Sequence, residues 1–137
     1  MYLKVLNSSM NQYGFQYKEG LNEDTQEFNL KENSFGLHFA NERSIMGFLD
    51  YGDDLIAEVD VPIGEPIVMF ESENGRGTKY KAKRIILSNI RPLWTLKTFR
   101  YLVEECGVDM DYEDWLINVA EMGGHHDIAE YLRQIKK

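Results

Sequence analysis

The chain has 137 residues, with 15 Lys and Arg against 23 Asp and Glu, a net charge of −8 and 43% hydrophobic residues. That length supports one domain, or a domain with an appendage, without disulfide or metal staples, and the dispersed acidity excludes unspecific binding to nucleic acid or anionic membrane. Cys106 is the only cysteine, which excludes an internal disulfide and a cysteine-based zinc cluster; no run approaches the ~20 apolar residues of a membrane helix, and residues 1–6 are too short and polar for a signal peptide, so a cytoplasmic protein is expected.

Residues 2–6 alternate in the manner of a strand. Tyr13, Phe15 and Tyr17 repeat at period two, which predicts a second strand with one buried face. Polar residues 18–25 read as a loop, and 27–30 as a short strand. From 35 to 82 the pattern predicts the unit around which the chain is organised. It holds a strand through Gly36-Leu37-His38-Phe39-Ala40, a helix, and a strand over 55–61 stopped by Pro62. The helix is expected to start at Asn41, to bury Ile45, Phe48 and Leu49, and to end at Gly52.

Ile67-Val68-Met69-Phe70 is apolar throughout, so burial on both faces is expected. Residues 78–87 form the longest strand candidate, with Lys79, Lys81 and Lys83 alternating onto one exposed face. With Arg84 and Arg91 they make the one basic cluster. Beyond Pro92 the spacing turns helical. Leu96, Phe99, Leu102 and Val103 form one stripe, Trp115, Leu116, Val119 and Ala120 a second, and Ile128, Ala129, Tyr131, Leu132 and Ile135 a third. The fold expected is α+β: residues 1–93 a mostly antiparallel sheet with one internal helix, and residues 94–137 three helices packed on it.

The tail carries a thirty-residue period, since Phe99-Arg100-Tyr101-Leu102 realigns with Ala129-Glu130-Tyr131-Leu132. Residues 120–132, with Ala120, Gly124-His125, Asp127 and Tyr131-Leu132, resemble the ankyrin inter-helix signature. That implies an ankyrin-like tail in which His125 bonds the turn backbone. Gly14-Phe15-Gln16-Tyr17, Gly36-Leu37-His38-Phe39, Ala57-Glu58-Val59 and Lys81-Ala82-Lys83-Arg84-Ile85-Ile86 stand ahead of that tail. The combination resembles ankyrin-type proteins of giant DNA viruses, and the front block is also similar to small phage domains. The resemblance implies a viral or phage protein acting in the host cytoplasm on a host or viral protein partner.

A second resemblance implies chemistry. A strand at 36–40, a helix, a strand ending at Pro62, Glu71-Ser72-Glu73 and a last strand from Gly77 to Ala82 follow the order of ADP-ribosyltransferases. Glu73 would there be the catalytic carboxylate, stabilising an oxocarbenium-like transition state, with Glu71 its helper, His38 a further candidate and NAD the cofactor. The chain departs from that pattern at Lys4, where the family has arginine or histidine, and in lacking its Ser-Thr-Ser stretch. Apart from that resemblance, His38 reads as a core histidine and the two glutamates as exposed hairpin acids. His125-His126 has no third ligand at a matching spacing, so no metal is expected. The reading taken forward is a non-enzymatic protein-interaction module with no cofactor and no contact to nucleic acid or membrane. The alternative is an ADP-ribosyltransferase-like enzyme or an inactive relative of one.

Overall fold

Residues 1–25, 36–50, 52–72 and 75–136 are described in a computed structural model of the chain. The strands are β1 (Tyr2–Leu6), β2 (Asn11–Gln12), β3 (Phe15–Gln16), β4 (Gly20–Glu23), β5 (Leu37–Asn41), β6 (Leu55–Asp60), β7 (Val68–Glu71), β8 (Thr78–Ala82) and β9 (Arg84–Pro92). The helices α1 (Leu96–Glu104), α2 (Glu113–Met122) and α3 (His126–Ile135) follow. β2 and β3 form a separate hairpin, and the other strands join in one sheet of order β4-β9-β6-β1-β5-β8-β7, antiparallel at every pairing.

Strands β8 and β9 are separated only by Lys83, yet they lie on opposite sides of β1 in that order. One residue spans only about 3.5 Å, far less than the several ~4.8 Å strand spacings between them in a flat sheet. The sheet therefore curls, and its two flanks meet at Lys83. Leu6, Leu37, Phe39, Val59, Ala82 and Ile85 pack together inside the curl. On the opposite face Leu3, Ala40 and Ile56 share a second core with Phe99, Leu102, Leu116, Ile128 and Leu132 of the helices.

The tail is not ankyrin-like. Three short helices lie against one face of a seven-stranded antiparallel sheet, and their apolar stripes converge with β1, β5 and β6 in a single core. The thirty-residue spacing pairs Phe99 with Ala129, but both side chains fill that shared core rather than the faces of successive stacked repeats. The His125 ring, expected to bond the turn backbone, stacks on Trp94, with centroids 5.0 Å apart.

The expected internal helix is a single 3-10 turn over Ile45–Phe48. Asn41 ends β5 and spends its side-chain oxygen on the Arg43 amide (3.0 Å) and the Ser44 hydroxyl (3.2 Å), a local turn rather than an α-helical cap. Ile45, Met46 and Leu49 are buried nonetheless.

Tyr13-Gly14 is the loop of the β2–β3 hairpin, not part of a strand. Both residues are left-handed, with φ of 52° and 81°, as a two-residue primed turn requires. The expected loop 18–25 contains β4, held by Asn22, whose side chain accepts from Lys18 N (2.9 Å) and donates to Lys18 O (2.8 Å). β7 ends the sheet, with Met69 66% exposed, so its apolar run is an edge strand rather than a doubly buried one. Lys81, expected on an exposed face, is fully buried. The predicted strand at 27–30, together with Phe35, Tyr51, Glu73 and Lys137, lies outside the described residues.

A candidate ligand cleft between β1 and β5

β1 pairs with β6 along its whole length, from Tyr2↔Val59 to Leu6↔Leu55. With β5 it pairs only at Tyr2↔Asn41 and Leu3↔Ala40. Past Leu3 the two central strands part, and β5 runs on with β8 through His38↔Lys81 and Leu37↔Ala82. Lys4 takes the gap: its Nζ donates to the His38 carbonyl at 2.5 Å and lies 4.6 Å from the centre of the Tyr17 ring. The parting opens a cleft of about 680 Å³, within the size of small-molecule sites. Its lining includes Asn11 and Gln12 of the small hairpin, Phe48, Asp50 and Asp53, and Arg76 and Lys79 from the β7–β8 hairpin.

The cleft is cationic within an acidic chain. Burial, then repulsion from Lys79, pulls the Lys4 amine down to about 7, against a partial lift from Asp53. Burial, with Lys4, Lys79 and Lys81 nearby, brings the His38 imidazole down to about 4. Its buried Nε2 has no hydrogen-bond partner among the described residues, and its ring meets Phe70 edge-on, centroids 5.6 Å apart. Burial raises the Asp53 carboxyl to about 6, although it accepts from the Asp50 amide at 3.0 Å. Lys79, lowered by burial and by Arg76, sits 5.0 Å from the Phe48 ring centre. Arg76 donates to the carbonyls of Gly47 (2.7 Å) and Leu49 (3.3 Å).

Of the residues expected to carry chemistry, His38 lines this cleft. Glu71 does not share its face. Strand alternation and the register through β8 put His38 with Lys81 and Val68, and Glu71 with Thr78 on the reverse side, where Glu71 accepts from the Thr78 hydroxyl at 2.7 Å. Glu73 lies outside the described residues. Sequence reasoning weighed Lys4 only as a departure from a family pattern, and it missed Asp53, Arg76 and Lys79 as a group. One signal was present: Lys4 occupies the same strand face as Tyr2 and Leu6, where alternation calls for an apolar residue.

Lys4 gives a pH prediction. An unfolded lysine keeps its proton up to about pH 10, whereas folded Lys4 loses it near 7. Between these values the unfolded chain holds more protons, so stability rises with pH, by at most about 1.4 kcal/mol per unit from this one group. Urea denaturation at pH 7 and pH 9 should show that rise in the natural chain and a flatter profile in Lys4→Met. Parallel profiles in the two proteins would refute the assignment.

No family model matches the chain, and no solved structure matches it. It is similar to proteins of Acanthamoeba polyphaga mimivirus. Against "Putative ankyrin repeat protein R868" it is 31% identical over 140 residues, covering 99% of this chain and 68% of the relative. Against "Uncharacterized protein R869" it is 36% identical over 114 residues, 80% of each chain. Against "Putative ankyrin repeat protein R229" the identity is 32% over 103 residues, 72% of this chain and 33% of the relative.

Proposed function

The chain belongs to a family of mimivirus proteins, some of them named for ankyrin repeats, and from that premise we propose that it is a non-enzymatic protein-interaction module. Its partner on this reading is a host or viral protein in the cytoplasm of the infected cell. The relatives' names support an interaction role, although the helices of this chain do not form the repeat. No helix among the described residues is long and apolar enough to cross a membrane.

The observation that carries the reading is the free margin of β7. Among the described residues this strand pairs on one side only, with β8. Ile63, Ile67 and Met69 stand exposed along it and the turn before it. An edge strand with a row of exposed apolar side chains is a template for an added strand. The partner would supply an extended segment, with backbone hydrogen bonds giving affinity and apolar side chains covering Met69 and Ile67.

Ile67→Lys with Met69→Lys tests this. Both residues are exposed, so the melt should stay within about 0.5 kcal/mol of the natural chain. Capture of the partner from infected cells should fall by about tenfold or more. Unchanged capture would overturn the edge reading. Transfer of label from NAD to a target, lost in the Glu71→Gln, Glu73→Gln double variant, would overturn the non-enzymatic one.

A further inference from the structure

Lys4, Arg76 and Lys79 in the β1–β5 cleft outnumber the lining carboxylates Asp50 and Asp53. Among the described residues, none of Lys4, Arg76 and Lys79 is in an ion pair. Lys4 is 6% exposed, with one carbonyl and one ring as its described partners. An ammonium carries three donors, and burying a cation with little compensation is costly. Lys4 and Lys79, both in the lining, repel one another. The neutral His38 ring adds to the lining a buried nitrogen without a described partner.

The acids nearby do not turn the site toward cations. Asp53 is engaged by the Asp50 amide, and no group of three His, Cys, Asp or Glu among the described residues could hold a metal ion. The two carboxylates, Asp50 and Asp53, leave the lining with one more cation than anion.

We propose that the cleft between β1 and β5 binds a small organic molecule through a phosphate or carboxylate group, which Lys4 and Lys79 hold together, with His38 in the same lining. The oxyanion takes the free donors of the Lys4 ammonium, separates the two like charges and forms charge-assisted hydrogen bonds. Arg76, held by the carbonyls of Gly47 and Leu49, adds positive charge at the rim without having to move. This inference is independent of the partner reading, since β7's free margin and the cleft are different surfaces.

An anion that needs the Lys4 proton must strengthen that proton's hold. The groups facing Lys4 are Lys79 on β8, His38 on β5, Asp53 in the turn before β6 and the Tyr17 phenol. His38, at about 4, is neutral throughout the Lys4 transition near 7, while Asp53, at about 6, completes its deprotonation on the acid side of it, so the Lys4 signal itself is what is followed.

The test follows the Lys4 side-chain carbon signal by NMR through a pH titration of the full chain. It is run in chloride alone, then with inorganic sulfate, whose charge is constant over the range, and then with acetate. Sulfate stands in for a phosphate group and acetate for a carboxylate. The expected result is a rise of about one pH unit in the Lys4 midpoint with one or both anions, equivalent to about tenfold tighter binding by the protonated form. The exposed Lys97 should not move. A rise with sulfate alone identifies a phosphate ligand, and with acetate alone a carboxylate. Lys79→Met should weaken the sulfate effect by about tenfold while Lys4 still titrates. A Lys4 midpoint unmoved by both anions would overturn the proposal, and so would a Lys97 shift of equal size or a Lys79→Met variant with undiminished binding.

Discussion

Gly47→Ala is expected to cost about 3 kcal/mol or more in urea denaturation, because the added methyl has no room. A Cβ at Gly47 would stand 2.2 Å from the Arg76 carbonyl oxygen and 2.9 Å from the Tyr112 ring. Neither neighbour can yield cheaply. The Arg76 carbonyl is backbone, and the Arg76 side chain bonds back to Gly47 O and Leu49 O, so pushing the hairpin away breaks the bonds that seat it. Gly77 repeats the close approach from the other side, its Cβ position 2.8 Å from Ser44 Cβ. The 3-10 turn and the β7–β8 hairpin thus touch backbone to backbone. That seam also carries the cleft wall, since Phe48, Asp50, Arg76 and Lys79 flank it. Gly52→Ala is the control: nothing lies within 4 Å of the added atom, and its midpoint should match the natural chain within about 0.5 kcal/mol. Equal midpoints for the two alanine variants would refute the seam.

The same glycine shows why part of the fold was legible in the sequence and part was not. Local signals served where the structure is made locally. Alternation placed β1, and a run stopped by Pro62 placed β6. Thr95 caps α1 by accepting from the Thr98 amide at 3.2 Å, and the Phe99–Leu102 stripe lies on the buried face of that helix. Residues 41–52 carried the apolar spacing of a helix, but a Gly47 pinned by Arg76 and Tyr112 leaves room for one tight turn only. No window of sequence around Gly47 contains either neighbour. Lys81 failed for the same reason. A strand lysine reads as solvated, and its burial follows from where the curled sheet puts β8. The thirty-residue period was real as spacing, yet spacing cannot say whether equivalent helices stack as repeats or converge on a sheet.

The cleft was the least legible feature, because it is an absence of pairing. Lys4, His38, Asp53 and the Arg76–Lys79 pair come from four separate stretches of chain, and they meet only because β1 and β5 part after Leu3. Residue type gave one clue, the lysine on the apolar face of β1. Of the carboxylates singled out from the sequence, Glu73 lies outside the described residues and Glu71 faces away from His38.

Phe99→Ala should lower stability by about 3–5 kcal/mol, the usual cost of emptying a buried aromatic site. Phe99 is fully buried and stacks on Trp94, with centroids 5.2 Å apart. Its core contains Leu3 of β1 and Ile56 of β6 as well as Leu116, Ile128 and Leu132 of the other helices. Because sheet and helices fill one another's apolar faces, the loss should be felt across both. Amide exchange of Ile56–Val59 in β6 and Ile128–Leu132 in α3 should accelerate together in the variant, by a common factor set by the lost stability. A domain of this size has only about 5–15 kcal/mol in total, so the variant should melt early but as one cooperative unit. If α3 amides instead opened while β6 kept its natural protection, the helices would be an independent layer. Their apolar stripes would then have to be satisfied without Leu3 and Ile56, which the shared core does not allow.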